Sequence, residues 1–505
     1  MRDYVLLYIN GERHKISGEN GFKTLSDFLR KDLGLVGTKV VCAEGDCGSC
    51  TVLVGRVMGT EQTGEKLLYQ SIDSCIQYLY QLDCSHVITV EGLKKLGNLK
   101  AFQSELNEVQ SSMIDSGGSQ CGYCTPGFIM SLQAMLESKE KFNRSTIKEG
   151  LTGNLCRCTG YEQIIEASLS INNLKHESVT KIFNSEFILA DFKEQLLKPA
   201  FCVFGEKWNG VDRKFEYFVP TTLKDALEFK QKNDNVTVVA GGTDISVQMN
   251  KERIDPNCVM CLTHLKELDE VNINNQTITV GSKVTWTKLG QIFRKRIPQF
   301  YKIIQVFASR QIKNEGTLAG NIVNASPIAD SLPFLYIIDA ELELVHKKIR
   351  SKTIGKRWLK INNFFLGYKK KDFKPDELIR RIRWKNLQQE DILKLYKVSK
   401  RKDLDISTFT AGILIQLNQG KIQKARLAFG GVGPVVLRLP KVENFLKGKP
   451  MHENTFKKAG TIACNEIQPI SDVRASSNYR FLLAENILQK FFYDWYEENT
   501  KKRAA

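Results

Sequence analysis

The sequence lacks the features that mark membrane, secreted and nucleic-acid-binding proteins. It contains no run of about 18 apolar residues, which argues against a membrane span. Its first residues, MRDYVLLYINGERH, include neither a long apolar stretch nor a small-residue cleavage site, so we expect no secretory signal and a cytoplasmic location. The net charge of +17 would suit nucleic acid, but the basic residues are spread along the chain without an aromatic-interleaved stripe. We therefore expect no nucleic-acid partner.

The first third of the chain predicts two small domains. At roughly 150 residues per domain, the whole chain is long enough for three to four. Residues 1–90 open with a hairpin at Asn10–Gly11, continue with a short helix capped by Thr24, and reach a glycine-rich loop that leads into a strand. Helical patterns dominate residues 91–172, where Thr125 is the expected N-cap and Pro126 the first helical residue.

The rest of the chain predicts a connection and two larger domains. Residues 173–212 show no clear pattern and are expected to be a linker. From 213 the pattern is α/β, as in NVTVVAGGTDISVQM (235–249), which predicts a strand, a glycine turn and a helix. From 391 we expect antiparallel strands in FTAGILIQL and KARLAFGGVG and a helix in ENTFKKAGTIACNEI. The predicted domains are 213–390 and 391–505, within a multidomain α+β fold.

Cysteine is the most informative residue type. A chain of 13 cysteines without an export signal suggests metal sites before disulfides. A first cysteine group, Cys42-x4-Cys47-x2-Cys50 with Cys75 further on, has the spacing of plant-type ferredoxins. The glycines between these cysteines allow the backbone to curl around a cluster. Zinc is the alternative, but structural zinc sites usually pair two CxxC or CxxH elements.

A second cysteine group consists of Cys121-x2-Cys124 and Cys156-x-Cys158. Both pairs precede expected helix starts, where free N–H groups and the helix dipole favour the negative charge of an iron–sulfur site. The one-residue spacing of Cys-Arg-Cys is unusual for zinc. Of the scattered cysteines, Cys258 and Cys261 form a CxxC in an apolar stretch, where we expect core packing.

Two glycine-bearing segments are candidates for holding a phosphate. VVAGGTDI (238–245) ends a strand in a turn, and its glycines allow close backbone approach, but it is not the GxGxxG of a Rossmann site. FASRQIKNEGTLAGNIVNASPIADSLP (307–333) places Gly316, Gly320 and Asn321 on one expected loop. Two loops that can both approach a diphosphate suit FAD.

The motifs QCGYCTPGF (120–128) and GNLCRCTGY (153–161) together resemble the second iron–sulfur domain of the molybdenum hydroxylase family. Residues 213–485 resemble the FAD part of xanthine dehydrogenases, with a FAD domain of the vanillyl-alcohol-oxidase type and a C-terminal domain like that of the CO dehydrogenase flavoprotein. The resemblance implies a ferredoxin-like β-grasp domain, a helical [2Fe-2S] domain, one [2Fe-2S] cluster per cysteine group and one FAD. It also implies that Gln120 contacts molybdopterin held by another domain or subunit.

The resemblance also implies a set of FAD-binding residues. The pyrophosphate would lie on 238–245, Phe307 near the adenine, Asp330 on the ribityl or adenosine side, and Leu427 near the flavin ring. The full implied set is Val238, Val239, Ala240, Gly241, Gly242, Thr243, Asp244, Ile245, Phe307, Thr317, Gly320, Asn321, Asp330, Leu427 and Lys441.

The whole chain is similar to the small iron–sulfur/FAD subunit of bacterial xanthine dehydrogenases. That likeness implies an oxidoreductase subunit of purine catabolism, which passes electrons from a large molybdopterin-binding subunit through two [2Fe-2S] clusters to FAD and then to NAD⁺ or oxygen. It implies no catalytic acid or base in this chain, no membrane partner, and a heterotetramer of two small and two large chains. The alternatives are the same subunit of a hydroxylase for aldehydes, nicotinate or CO, and a stand-alone iron–sulfur flavoprotein reductase.

Overall fold

The computed structural model describes residues 1–59, 64–94, 106–171, 178–208, 211–348 and 353–504. They group into two compact units. The first unit consists of Met1–Lys266 together with Ser309–Gly316, and the second unit consists of Glu267–Ala308 together with Thr317–Ala505. In the described ranges, no helix is long and apolar enough to cross a membrane.

The first unit begins with a five-stranded mixed sheet. Its strands, in spatial order, are Glu12–Ile16, Val5–Ile9, Ser85–Ile88, Thr51–Met58 and Lys66–Asp73. The predicted hairpin is confirmed: Asn10 and Gly11 adopt φ of 49° and 88°, as a tight two-residue turn requires. The predicted helix after Thr24 is also present. It spans Leu25–Asp27, where the Thr24 side chain accepts from the Asp27 N–H, and continues as a π-helical segment over Phe28–Asp32.

Helices follow the sheet, as the sequence predicts. Their bounds are Glu108–Asp115, Thr125–Glu137, Arg144–Gly150 and Glu162–Ser170. The second of them starts one residue earlier than expected. Thr125 is the first helical residue and Cys124 the N-cap, so Pro126 is the second helical residue.

The expected linker at 173–212 differs from the structure. Its described residues form the helices Val179–Ile182 and Ser185–Gln195 and the strand Ala200–Trp208. Ile188 and Phe192 are buried one helical turn apart, and Asp191 accepts hydrogen bonds from Tyr8 and Arg13 of the first sheet. The four-residue apolar spacing was the signal for this helix, and packing against the sheet stabilises it.

A second, four-stranded sheet completes the first unit. Its strands, in spatial order, are Ala200–Trp208, Val211–Val219, Cys258–Cys261 and Thr237–Val239. Its helices are Leu223–Lys232, Ile245–Asn250 and Arg310–Glu315. The strand, glycine turn and helix expected over 235–249 are confirmed, and Cys261 lies in the core as expected, at 1% exposure.

The second unit contains a five-stranded antiparallel sheet with helices and a smaller α+β part. The sheet strands, in spatial order, are Val271–Ile273, Thr277–Gly281, Leu378–Lys385, Glu341–Lys347 and Ile354–Lys360. The associated helices and short strands are Trp286–Arg296, Pro298–Phe307, Leu318–Asn324, Leu332–Ile337, Ile361–Phe364, Phe365–Gly367 and Lys370–Lys371.

The C-terminal part of the second unit agrees with its sequence pattern. Its strands are Ile392–Val398, Phe409–Asn418, Lys421–Gly430 and Leu437–Arg438, all antiparallel. Its helices are Pro440–Leu446, Glu453–Cys464 and Ser477–Ala504. The multidomain α+β fold expected from the sequence is thus confirmed.

Candidate iron–sulfur and flavin sites

The first cysteine group converges at one end of the first sheet. The Cys42 thiol is within hydrogen-bond reach of the Cys47 and Cys75 thiols, and Cys50 reaches Cys75 as well. Hydrogen bonds from Cys47 and Cys75, and from nearby backbone N–H groups, hold the pKa of Cys42 far below its usual value. Four converging thiols with N–H groups directed at sulfur form a donor set that fits an anionic iron–sulfur cluster.

The loop that carries this group is tightly curled. Ala43, Gly45 and Gly48 all have positive φ, of 56°, 74° and 68°. A Cβ on Gly48 would lie 2.3 Å from the Gly153 carbonyl oxygen, so a larger residue would separate the loop from the neighbouring chain segment. The glycines expected from the sequence to permit the curl therefore do so.

The second cysteine group also comes together, at the surface. Cys121 reaches Cys158, and Cys124 reaches Cys156. Burial raises the pKa of Cys156, but hydrogen bonds from the Thr159 hydroxyl and N–H outweigh it, and the pKa is lowered overall. Cys121 and Cys158 are exposed, whereas Cys50 and Cys75 of the first group are buried. This group too offers four thiols for one cluster.

The two cysteine groups lie on loops that touch. The Leu155 N–H donates to the Cys47 carbonyl at 3.0 Å, and Leu155 directly precedes the second group's CxC pair. The Asn154 amide donates to the Gly48 carbonyl, also at 3.0 Å. A Cβ on Gly127, in the helix that starts after Cys124, would lie only 2.1 Å from the same carbonyl oxygen. A short hydrogen-bonded route thus connects ligand-bearing loops of both groups.

Several other cysteines are packed in the core. Cys84 and Cys202 are 3% exposed, and burial raises the pKa of both thiols. Cys84 lies near Asp83 and His264, but the Asp83 carboxylate accepts two hydrogen bonds from Arg2 and one from His264. The guanidinium already balances the charge of that carboxylate, so this cluster is an ion pair.

The glycine turn, residues 238–245, is packed closely against the protein backbone. A Cβ on Gly241 would lie 1.9 Å from the Glu315 carbonyl oxygen. Gly242 has φ of 72°, and its missing Cβ leaves room for the Gln81 amide, whose Nε2 is buried without a partner among the described residues. The two glycines therefore make room for protein atoms, and the Gln81 amide leaves a donor beside the turn that fits a phosphate-bearing group.

The other implied FAD residues belong to the second unit. Gly320 and Asn321 lie in the helix Leu318–Asn324 rather than on the expected loop, because Thr317 caps that helix by accepting from the Gly320 N–H at 3.0 Å. Asn321 accepts from the Ser331 hydroxyl at 2.6 Å. Phe307 packs edge-on against Trp286 with ring centroids 4.8 Å apart.

Asp330 borders a small cavity of about 10 Å³ in the second unit. The cavity lining consists of Trp286, Phe300, Ile303, Ile304, Phe307, Asn321, Asp330 and Ser331. Burial raises the pKa of Asp330, although Lys397 opposes it through an ion pair of 2.6 Å and Ser407 donates at 2.5 Å. Three implied FAD residues, Phe307, Asn321 and Asp330, thus meet at one place.

Lys397 is a site residue that the sequence reasoning missed. Its side chain is 4% exposed and donates to Asp330, to the Asp405 carbonyl and to Ser407. The sequence feature that could have identified it is its place in the strand Ile392–Val398, where the apolar residues around the lysine predict that its side chain is buried. These three acceptors use all three N–H donors of the ammonium, so Lys397 holds the Asp330 carboxylate in place at the edge of the cavity.

Leu427 and Lys441 lie elsewhere in the second unit. Leu427 is fully buried in the strand Lys421–Gly430 and belongs to the apolar core of the C-terminal part. Lys441 is exposed in the first turn of Pro440–Leu446, where its backbone N–H donates to Glu466. Gln120, in the first unit, is exposed next to Cys121.

Four known domain families match the chain in succession. Residues 7–78 match the 2Fe-2S iron-sulfur cluster binding domain, and residues 89–169 match a [2Fe-2S] binding domain. Residues 213–384 match the FAD binding domain in molybdopterin dehydrogenase. Residues 394–495 match the CO dehydrogenase flavoprotein C-terminal domain. The expected cofactor complement of two [2Fe-2S] clusters and one FAD agrees with these domains.

Curated relatives align over most of the chain. Xanthine dehydrogenase 1 of Arabidopsis thaliana is 29% identical over 98% of this chain, and xanthine dehydrogenase of Oryza sativa subsp. japonica is 30% identical over 88% of it. The alignments cover only 40% and 36% of those relatives.

Among solved structures, a chain of carbon monoxide dehydrogenase from Hydrogenophaga pseudoflava is 21% identical, with a TM-score of 0.51 over 55% of this chain and 95% of that one. A chain of quinoline 2-oxidoreductase from Pseudomonas putida 86 has the same TM-score, 22% identity, and coverage of 55% and 96%. These likenesses show a shared fold. In the identity and order of its four domains, the chain belongs to the molybdenum hydroxylase family, of which it carries the two iron–sulfur domains and the FAD domains.

Proposed function

We propose that the chain is the electron-transfer subunit of a xanthine dehydrogenase, working with a separate molybdopterin-binding subunit. The observation that carries this proposal is the contact between the two cysteine groups, in which Leu155 donates to the Cys47 carbonyl. When bound, two [2Fe-2S] clusters and FAD would supply one- and two-electron redox chemistry between a molybdenum centre and NAD⁺ or oxygen. The xanthine dehydrogenase relatives, which align over nearly the whole chain, support a purine substrate.

The residues of this chain would hold and orient those groups. Cys42, Cys47, Cys50 and Cys75 would ligate one cluster, and Cys121, Cys124, Cys156 and Cys158 the other. Backbone N–H groups directed at sulfur, such as those of Asp46 and Thr159, would stabilise the negative charge. Thr159 also places its hydroxyl 3.2 Å from the Cys156 sulfur. Their role is to position the ligands and set the reduction potential, and no acid or base is required.

Each unit contains residues that the family resemblance assigns to FAD. In the first unit, the glycine turn offers backbone without side chains at Gly241 and Gly242. In the second unit, the candidates are Phe307, Thr317, Gly320, Asn321 and Asp330, with Lys397 added from the structure. Leu427 and Lys441 stay candidates on the family resemblance alone.

The partner would dock beside the second cysteine group. Cys121 and Gln120 are exposed there, and so are the apolar side chains of Tyr123 and Leu155, at 52% and 43%. Exposed apolar residues around a metal site suit an interface rather than bulk water. The proposed assembly is a heterotetramer of two small and two large chains. The aldehyde, nicotinate and CO hydroxylases are the alternatives, since CO dehydrogenase and quinoline oxidoreductase chains share the fold.

Cofactor analysis tests the proposal. We expect four irons and four labile sulfides per chain, with one FAD and two distinct reduced [2Fe-2S] signals in electron paramagnetic resonance. Cys156→Ser should remove one signal and leave the other, because the two groups have separate ligands. Cys84→Ser is the matched control and should leave both, since Cys84 is buried in the core. Stoichiometric zinc without labile sulfide would contradict the proposal.

A further inference from the structure

The sequence match and the packing of the chain assign the helix Arg310–Glu315 to different parts of the molecule. Its residues lie within the FAD-domain match at 213–384. In the structure, however, residues 309–316 belong to the first unit, with both cysteine groups. We call Arg310–Glu315 the bridging helix. It packs against the strand Lys66–Asp73 of the first sheet.

The side chain of Gln311 is the centre of a buried polar cluster. Gln311 is 1% exposed, and its Nε2 lies 3.1 Å from Thr51 Oγ1, 3.1 Å from Asn154 Oδ1 and 3.3 Å from Ser131 Oγ. Ser131 in turn donates to Asn154 at 2.7 Å. These three partners come from the first sheet, from the helix that starts after Cys124, and from the loop before Cys156. One amide therefore links three separate segments.

The partners of Gln311 are attached directly to the cysteine loops. Thr51 follows Cys50, and its hydroxyl donates to the Gly48 carbonyl at 2.6 Å. The Asn154 amide donates to that same carbonyl. Gln311 therefore orients both groups that donate to the Gly48 carbonyl, the Thr51 hydroxyl and the Asn154 amide. The peptide of Gly48, between Cys47 and Cys50, is thus fixed relative to the loop of the second cysteine group.

Other residues of the bridging helix contact two of the candidate cofactor sites. Ile312 packs with Cys50 and Cys75 in one small apolar cluster. At the helix end, the Glu315 backbone lies against Gly241 of the glycine turn, and the Glu315 carboxylate pairs with Arg56 at 2.5 Å. One short helix therefore contacts the first cysteine group, the loop before Cys156 and the glycine turn.

The chemistry of Gln311 argues for a specific geometric role. Its Oε1 is buried without a hydrogen-bond partner among the described residues. The same oxygen lies so close to Gly153 that a Cβ on Gly153 would be only 2.1 Å from it. A buried, half-satisfied amide is costly, and an apolar side chain of equal volume would fill the same space without that cost. The directional bonds of Nε2 are what an apolar residue could not supply.

We propose that Gln311 is a positioning residue that sets the relative placement of the two iron–sulfur sites, and that the bridging helix ties both to the glycine turn. The inference rests on the proposed function, because it assumes that both cysteine groups hold [2Fe-2S] clusters. Gln311 contacts neither cluster ligand directly and acts through Thr51 and Asn154.

The test measures the magnetic coupling between the two reduced sites in the full chain. The chain is loaded with iron and sulfide, reduced with dithionite, and examined at low temperature for line splitting. We expect two coupled signals in the unaltered chain. In Gln311→Met, iron and sulfide contents should be retained, and the splitting should become smaller and broader because the two loops no longer share a fixed donor.

A matched control separates this effect from a general loss of stability. Gln133→Met removes another buried glutamine of the first unit, one that bonds Asn107 and Glu137 away from the cysteine loops. This variant should keep the original splitting. If Gln311→Met does not fold, Thr51→Val provides the same test with a nearly isosteric change and should alter the splitting in the same direction.

The outcomes distinguish this inference from the proposed function. Absence of two [2Fe-2S] signals in the unaltered chain would refute the proposed function. Two signals without coupling, or unchanged splitting in Gln311→Met and Thr51→Val, would overturn the role of Gln311 and leave the proposed function standing. Equal loss of splitting in Gln133→Met would also overturn it, since the effect would then not be specific to the cysteine loops.

Discussion

His86 is a buried imidazole in the central strand of the first sheet. The Gly11 N–H donates to its Nε2 at 3.2 Å, and Nδ1 lies 2.7 Å from the Tyr69 hydroxyl. Because Nε2 accepts a backbone hydrogen bond, the ring must stay neutral, with its proton on Nδ1. Burial lowers the pKa of His86 to about 3.

This pKa predicts a loss of stability in mild acid. Below the unfolded pKa of about 6.5, the unfolded chain takes up a proton that the folded chain excludes, so stability falls by about 1.4 kcal/mol per pH unit until the folded pKa is reached. We expect His86→Gln, which can keep both hydrogen bonds, to lose about 1.4 kcal/mol less than the unaltered chain between about pH 7.5 and about pH 5.5. Urea unfolding followed by circular dichroism measures the difference. Parallel pH dependence of the two proteins would contradict the prediction.

The glycine turn behaves as an element whose function depends on having no side chains. At Gly241 a valine would be driven into the Glu315 carbonyl, since even a Cβ would lie 1.9 Å from it. We expect Gly241→Val to displace the turn and to lose most of the bound FAD, with iron content near that of the unaltered chain. Flavin released on denaturation and iron per chain are the two measurements.

The control for this prediction is another glycine of the first unit. Gly205 lies in the strand Ala200–Trp208, and a Cβ there would meet only the Arg213 carbonyl at 3.9 Å. Gly205→Ala should keep both FAD and iron. Full FAD retention in Gly241→Val would argue against a phosphate at the glycine turn, whereas joint loss of iron and FAD would indicate that the first unit had unfolded.

The elements that sequence reasoning identified are those whose chemistry is local. The Asn10–Gly11 hairpin and the cap at Thr24 each depend on a few adjacent residues. The cysteine groups were predictable too, because ligand spacing is written directly into the chain. In contrast, the helix Ser185–Gln195 is stabilised by packing on the first sheet, and its short apolar spacing was too weak a signal alone.

The missed site residues depend on contacts between distant parts of the chain. Gln311 lies more than 150 positions from each of its three partners. Lys397 pairs with Asp330 from 67 positions away. A single sequence contains no record of such pairs, and only the folded chain brings their donors and acceptors together. For the same reason, Gly320 and Asn321 were expected on a loop although the Thr317 cap folds them into a helix.

At the level of the whole molecule, the order of domains along the chain matches the order of the proposed electron path only in part. The exposed second cysteine group comes second in sequence, whereas it would be the first to receive electrons from a partner. The first group, in which Cys50 and Cys75 are buried, lies next to the bridging helix and would follow. Folding rather than chain order therefore determines which site would face the proposed partner.

A substitution at Gln120 tests the proposed division of the reaction between this chain and a large molybdopterin-binding subunit. It is exposed beside Cys121, where a partner's molybdopterin would approach, and it is not needed to ligate either cluster. With the large subunit added, Gln120→Ala should keep iron and FAD, but xanthine should reduce the clusters about fivefold more slowly, as expected for one lost hydrogen bond of about 1 kcal/mol. Gln163→Ala, at another exposed glutamine of the same domain, should leave that rate unchanged.

The chain alone should pass electrons from NADH or dithionite to an artificial acceptor but should not oxidise xanthine. Xanthine oxidation without the large subunit would contradict the division of labour, and an unaltered rate in Gln120→Ala would assign this residue to the cluster loop rather than to the interface.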